Sequence, residues 1–290
     1  MIFNNLNLEH SKPKRVVILG SNGFIAKNLI LDLEKNNIEI IKIPKEKIDL
    51  TQDNANERLS SLLSKNDVVV FTSAKAPVKE IDTLIKNLKM AKSLCNCISN
   101  KQISHLIYIS SDAVYKDSKL KLNELSCAEP STLHGVMHLS REIMIKNYWK
   151  GPLCIVRPTM IYGIGDPHNG YGPNSFLKLA KKNQNINLFG KGEELRDHVY
   201  IKDVANILKE IILYKTVGVL NIASGNLISF NEIAELVVES LNSNSKIIYN
   251  QRIVPMPHNG YRPFDISIYK KFFNKYKFNT IENWLKRINK

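Results

Sequence analysis

The stretch Arg15 to Ala26, RVVILGSNGFIA, constrains the fold of this chain more than any other. An apolar run, Val16 to Leu19, stops at Gly20, and apolar residues at helical spacing resume from Phe24, which predicts strand, tight turn and helix. Gly20 and Gly23 stand at the turn, where residues without a Cβ tolerate unusual backbone angles and let amides at a helix start come close to a diphosphate. Asn22, Phe24 and Ile25 complete the loop, and Ala26 is the small residue where the helix must lie close on the strand. A GxxGxxA string is a weak motif by itself, because glycine turns follow many strands.

The rest of the chain strengthens it. Ile38 to Ile43, Asp67 to Thr72, His105 to Ser111 and Leu153 to Val156 read as strands, and Lys79 to Ser99 and Leu133 to Trp149 as helices. This alternation predicts an α/β fold, a doubly wound parallel sheet of Rossmann type with ligands at the carboxyl ends of the strands. After Arg157-Pro158 the pattern changes to a Gly/Pro-rich loop, YGIGDPHNGYGPN, and shorter elements with helices near 174–182, 202–214 and 229–241. The expected organisation is a loose arm over residues 1–13, a dinucleotide-binding domain over 14–160, and a smaller C-terminal substrate-binding lobe over 161–290, from which elements can return to the first domain.

Composition narrows the classes of function. With 43% hydrophobic residues in 290, the chain can bury a sizeable core. No apolar run reaches the ~18 residues of a membrane span, and the start, MIFNNLNLEHSKPKR, lacks the apolar segment of a signal peptide, so a cytoplasmic protein without membrane partners is expected. Cys95, Cys97, Cys127 and Cys154 form no CxxC pair and are expected as reduced core residues. The net charge of +14 raises nucleic acid as a partner, but the lysines are scattered and no RNA-binding aromatic motif occurs, so no specific nucleic-acid partner is expected. A basic cleft suits anionic cofactors and substrates instead. At the end of the second strand, where an NAD site usually carries Asp or Glu, stand Lys42, Ile43, Pro44 and Lys45; bases there suit the extra phosphate of NADP, which is therefore expected over NAD.

From about residue 14 to its end the chain resembles the extended short-chain dehydrogenase/reductases, the NAD(P)-dependent nucleotide-sugar epimerase, dehydratase and reductase family. GSNGFIA is similar to the glycine loop of that family, Asp49-Leu50 to its Asp-hydrophobic pair beside the adenine, Ser73, Ala74 and Lys75 to the segment that lines the cofactor, and Asn87 to its helix asparagine. SSDAVY, residues 110–115, resembles the SSxxVY strand end, which puts Ser110 at the cofactor, Ser111 at the catalytic Ser/Thr position and Asp112 behind it. RPTMIYG, RDHVYIKD and the pair Arg262 and Asp265 resemble segments that shape the substrate pocket. The resemblance implies NADP or NAD as cofactor, a nucleoside-diphosphate sugar as substrate, hydride transfer at a sugar carbon, and a homodimer. Arg196 and Arg262 become candidates for the diphosphate, because a guanidinium fork matches phosphate oxygens; the alternative for each is an ordinary ion pair with nearby Asp197 or Asp265. Asn174 is a candidate for sugar or phosphate, or a helix cap, and His168 is a polar loop residue near the expected cleft.

One departure from the family is as informative as the matches. Its catalytic helix carries YxxxK after a proline; here Pro130 is followed by Ser131, Thr132, Leu133, His134, Gly135, Val136, Met137 and His138, so both catalytic positions are histidine. Residues four apart share a helical face. An imidazole titrates near ~6.5 where a phenol titrates near ~10, so His134 can carry a proton at neutral pH without an adjacent lysine, with His138 keeping part of the ribose contact. A second reading is a degenerate site that binds nucleotide or nucleotide sugar without turnover. Metal is not expected, since HxxxH here has no glutamate between and no third ligand. The literal YxxxK from Tyr115 to Lys119 belongs to the preceding motif and is read as coincidence. Ala113 stands where dehydratases of the family carry glutamate, which ranks epimerase or reductase chemistry above dehydration.

Overall fold

A computed structural model describes residues 3–99, 101–167 and 170–288. In chain order its elements are β1 (Asn4–Asn5), β2 (Arg15–Leu19), α1 (Phe24–Lys35), β3 (Ile40–Ile43), α2 (Ala55–Leu62), β4 (Asp67–Phe71), α3 (Ile81–Ser99), β5 (His105–Ile109), a 3₁₀ turn (Asp112–Val114), α4 (Leu133–Tyr148) and β6 (Leu153–Pro158). There follow β7 (Met160–Tyr162), α5 (Pro173–Ala180), β8 (Ile186–Phe189), β9 (Leu195–Tyr200), α6 (Ile201–Leu213), β10 (Thr216–Ile222), β11 (Leu227–Ser229), α7 (Phe230–Ser240), β12 (Ile247–Asn250), β13 (Tyr261–Arg262), α8 (Ser267–Phe272) and α9 (Ile281–Ile288).

Two compact units divide the chain. The first takes the chain up to Lys116 with Ser126–Pro158 and Val204–Asn221; the second takes Asp117–Leu125, Thr159–Asp203 and the chain from Ile222. The chain passes between the units five times, because a nine-residue excursion, Asp117–Leu125, leaves the first unit and Val204–Asn221, with the apolar β10, returns to it.

A seven-stranded sheet in the order β1-β10-β6-β5-β4-β2-β3 forms the first unit. The pairs β2/β3, β2/β4, β4/β5 and β5/β6 are parallel. Parallel strands covered on both faces must be apolar throughout, and Val68, Val69, Val70 and Phe71 of β4 are all buried. Leu94, Cys95, Cys97 and Ile98 of α3 and Ile145 of α4 join the same core cluster. Cys154 is buried too, but Cys127 is exposed, so only three of the four cysteines are core residues. The first of the parallel strands, β2, lies between β3 and β4, so the chain reverses its direction across the sheet there, and the carboxyl ends of these three strands open a crevice.

The N-terminal segment is not the loose arm expected. Asn4 and Asn5 pair antiparallel with Val217 and Thr216, Thr216 Oγ1 donates to Asn5 Oδ1 at 2.7 Å, and His10 Nε2 lies 2.8 Å from Glu210. A two-residue strand carries no periodicity from which a sequence reading could recover it.

In the second unit β9 pairs with β7, β11 and β13, and β8 with β12. Ser229 and Glu232 form a capping box at the start of α7, and Trp284 of α9 is fully buried against Tyr162.

Candidate functional site

The crevice at the reversal point is a cavity of about 530 Å³ whose walls include Gly20, Asn22, Gly23, Asp49, Leu50 and Ser73–Lys75. Gly20 has φ +83°, and a Cβ there would stand 2.8–2.9 Å from Ser73 Cα, Oγ and N, so only glycine lets the turn close on the wall. Gly23 precedes α1 with no side-chain cap and no acidic residue in the first turn, and its own amide bonds Gly20 O at 2.9 Å. The amides that open α1 thus keep their partial positive charge for an anion. Ala26 is fully buried where α1 meets the sheet. These features fit the diphosphate of a dinucleotide. Lys45, Lys75 and Lys86 also face the cavity, opposed by Glu46 and Asp49. Asp49 accepts from Thr51 N at 2.9 Å and Oγ1 at 2.7 Å; burial raises its pKa, and those two hydrogen bonds with nearby Lys45 bring it below the ordinary carboxylate value.

Several residues expected at the cofactor have partners within the protein. Asn87 is fully buried and clamps the cavity wall: its Oδ1 accepts from Lys75 N at 3.0 Å, and its Nδ2 donates to Lys75 O at 3.0 Å and Thr83 O at 2.8 Å. Ser110 is 3% exposed and donates to Glu142 Oε1 at 2.6 Å. Phe24 and Ile25 open α1 half-buried, outside the cavity lining. Lys42 reaches Glu34 at 2.7 Å, and Lys45 lies 3.7 Å from Asp49, so both lysines behind the NADP expectation already face a carboxylate.

The other half of the site is the face of α4. Thr132 caps the helix by accepting from Gly135 N at 3.2 Å. A Cβ on Gly135 would stand 2.1 Å from Ala113 O, so the missing side chain is what allows the first turn of α4 to close on the 3₁₀ turn after Ser111. Ser111 is half-buried; its Oγ accepts from Ala113 N at 3.1 Å and lies 3.4 Å from Asp112 Oδ1. His134 is half-buried and stands edge-on to His138, ring centroids 4.8 Å apart. His138, expected to keep part of the ribose contact, lies deeper. It is 5% exposed, and its Nδ1 shares a 2.8 Å hydrogen bond with the buried Tyr108 hydroxyl. Burial, then His134 and Arg141, hold its pKa well below the ordinary histidine value, so the ring is neutral, while burial pushes the Tyr108 phenol upward.

One turn on, Arg141 is fully buried. Its Nη2 donates to Ser73 O at 2.8 Å, and its guanidinium lies 4.2 Å from the Phe71 ring centroid and 5.2 Å from that of Tyr108. The next residue, Glu142, is committed to Arg157, through bonds of 2.9 and 2.6 Å, and to Ser110. This buried, doubly bonded pair ties α4 to the end of β6. Tyr115 is buried with its hydroxyl on Asn221 at 2.7 Å, and residues 115–119 are not helical, so the literal YxxxK shares no helical face.

In the second unit, Arg196 and Arg262 are register partners on β9 and β13, 5% and 2% exposed. Arg196 Nη2 donates to Glu194 Oε1 at 2.5 Å and Pro257 O at 2.6 Å; Arg262 Nη1 donates to Asp117 Oδ1 at 2.9 Å. Asp197 takes the amides of Ser224 and Gly225 at 2.8 and 2.7 Å. Asp265, expected at substrate, closes a turn by accepting from Ser267 N at 2.7 Å. Asn174 caps no helix: it accepts from Gly163 N at 3.0 Å and donates to Asp166 Oδ2 at 2.8 Å. His168 lies outside the described residues. Among the described residues no group of three or more His, Cys, Asp or Glu side chains is arranged to hold a metal, and no helix is long and apolar enough to cross a membrane.

Tyr108, Gly135 and Arg141 escape a sequence reading as site residues. Arg141 had a visible signal, since it sits seven positions after His134 and three after His138, on their helical face.

Residues 16–223 match the model of the NAD dependent epimerase/dehydratase family. The chain belongs to that family. Among its relatives are the dTDP-D-glucose 4,6-dehydratase of Mus musculus, 23% identical with 87% of this chain and 81% of that one covered, and a putative UDP-glucose 4-epimerase of Methanocaldococcus jannaschii, 24% identical with 81% and 85% covered. The crystal structure of UDP-glucuronic acid 4-epimerase from Bacillus cereus, in complex with UDP-glucuronic acid and NAD, shares the fold with a TM-score of 0.79 at 19% identity, over 94% of this chain and 99% of that one.

Proposed function

We propose that this protein is an NAD-dependent epimerase or reductase of a nucleoside-diphosphate sugar, with His134 carrying the proton that accompanies hydride transfer at a sugar carbon. The observation that carries this reading is the closure of α4 on the 3₁₀ turn at Gly135, which seats His134 beside the Ser111 segment in the same unit as the dinucleotide cavity. When bound, NAD supplies the hydride acceptor and donor. His134 takes the proton from a sugar hydroxyl or returns it, and Ser111 Oγ hydrogen-bonds that oxygen. His138, neutral and held by Tyr108, orients His134 without competing for the proton.

NAD replaces NADP in this reading because Lys42 and Lys45 face Glu34 and Asp49, and Glu46 adds a further carboxylate to the cavity wall. Arg196 and Arg262 are proposed for the diphosphate of the sugar nucleotide, exchanging or sharing their carboxylate partners on binding. Ala113 in place of an acid argues against dehydration.

His134→Ala tests the proposal. Turnover should fall by roughly 10²- to 10⁴-fold, the range for a positioned acid or base, while NADH affinity measured by calorimetry stays near wild type. Wild-type turnover in His134→Ala would refute the assignment. Absence of turnover in wild type across a panel of nucleoside-diphosphate sugars, with NADH still bound, would favour a binding protein.

A further inference from the structure

Arg141 is a fully buried cation with no carboxylate bonded to it among the described residues, and its Nε makes no hydrogen bond. Its surroundings are two aromatic faces, Phe71 and Tyr108, the Met137 sulfur at 3.7 Å, and the Ser73 carbonyl. Aromatic faces attract a cation, but a charge taken out of water without a counter-charge remains expensive. The nearest carboxylate on the same helix, Glu142, is spent on Arg157. Evolution of an apolar core offers no reason to retain such a group, so the question is what negative charge comes to meet it.

The answer is fixed by what Arg141 holds. Ser73 is the residue against which Gly20 closes, and Ser73, Ala74 and Lys75 wall the cavity. The Ser73–Ala74 peptide is trans, so a carbonyl turned to Arg141 aims the Ala74 N–H the opposite way. Asn87 then fixes the next peptide by taking the Lys75 N–H. Arg141 and Asn87 together set the direction of the amides in this wall, and only Arg141 adds charge.

Resting on the reading that the cavity takes a dinucleotide, we propose that Arg141 is a positioning residue for the cofactor: it orients the Ser73–Lys75 wall, and the diphosphate supplies the counter-charge that the protein itself withholds. Lys45, Lys75 and Lys86 also face the cavity, but from solvent-accessible positions where their field is screened. Arg141 acts through the protein interior, where screening is weak.

The test compares ligands with and without the diphosphate. Arg141→Gln keeps a donor for Ser73 O and removes the charge; it should weaken NADH by roughly tenfold or more, as expected for one lost charge interaction in the interior, and leave adenosine binding unchanged. Arg141→Lys, which restores charge, should recover most of the NADH affinity. Parallel weakening of NADH and adenosine, or no change in either, would overturn the inference, because a purely structural arginine gives one of those results. Should Arg141→Gln fail to fold, the Arg141 Nε–H resonance in ¹⁵N-labelled wild-type protein, assigned by its absence from Arg141→Lys, should move on adding NADH and not on adding adenosine; an unmoved resonance overturns the inference. Wild-type protein that binds no NADH would instead overturn the proposed function itself.

Discussion

Gly135→Ala adds one methyl group at the seam between α4 and the 3₁₀ turn. The new Cβ would lie 2.1 Å from Ala113 O and 2.6 Å from Pro130 Cβ, whereas real Cβ contacts begin near 3.0 Å, so helix and turn must part by about 0.9 Å. Neither obstacle is the far end of a flexible side chain. Overpacking of this kind costs about 1–3 kcal/mol, a measurable part of the ~5–15 kcal/mol that holds a domain folded. Function should suffer more than stability, because the displaced turn carries His134 away from Ser111, and a shift of ~1 Å in a reacting geometry costs roughly 10²-fold in rate. The assay pairs urea unfolding with turnover of the nucleoside-diphosphate sugar that wild type accepts, and with NADH titration. Gly170→Ala serves as control, since among the described residues no atom beyond its chain neighbours lies within 4 Å of a Cβ there. The expected result is a lower urea midpoint, about a hundredfold loss of turnover, and NADH affinity within threefold of wild type. Turnover within twofold of wild type would refute the claim that this closure positions the catalytic pair.

Other expectations rest on different parts of the molecule. Gly20→Ala, strained at φ +83° and blocked by the Ser73 backbone, should destabilise by about 2–4 kcal/mol and abolish measurable NADH binding; retained binding would contradict the placement of the diphosphate. Acid should weaken the fold well above the carboxylate range. Burial holds His105 and His198 at about 4 instead of 6.5, so the unfolded chain binds protons that the folded chain refuses, and stability present above pH 6.5 is lost as pH falls toward 4. Asp197, lifted by burial to about 6, acts in the opposite sense over the same window. The net loss between pH 7.5 and 5 should be about 3 kcal/mol by urea unfolding, and a flat profile would show that these histidines are hydrated.

What was legible in the sequence was what depends on local spacing. The turn from Gly20 to Ala26 could be read because strand, glycine and helix follow one another within a dozen residues, and the alternation of apolar runs gave the parallel sheet. Side-chain partnerships were less accessible. Asn87, Ser110, Asn174 and Asp265 were singled out by family likeness, and the hydrogen bonds each makes within the protein, to backbone groups or to neighbouring side chains, follow from local and tertiary packing. Arg196 shows the same limit: Asp197 is its sequence neighbour, but on a strand successive side chains point to opposite faces, and the guanidinium pairs with Glu194 on its own face. Arg141 shares a helical face with His134 and His138, but an arginine in an amphipathic helix ordinarily reads as a solvated residue, and its burial follows only from the packing of α4.

The short strand β1 limits what can pair with one edge of the main sheet. A parallel sheet ends in a row of open amides and carbonyls, and such a row recruits strands from other chains. Asn4 and Asn5 occupy that row on β10, and the bonds of Asn7 and Ser11 to Tyr214 and Leu213 continue the cover past the strand end. The start of the β10 edge is therefore already paired within the chain, and a strand from another molecule that added there would first have to displace this segment.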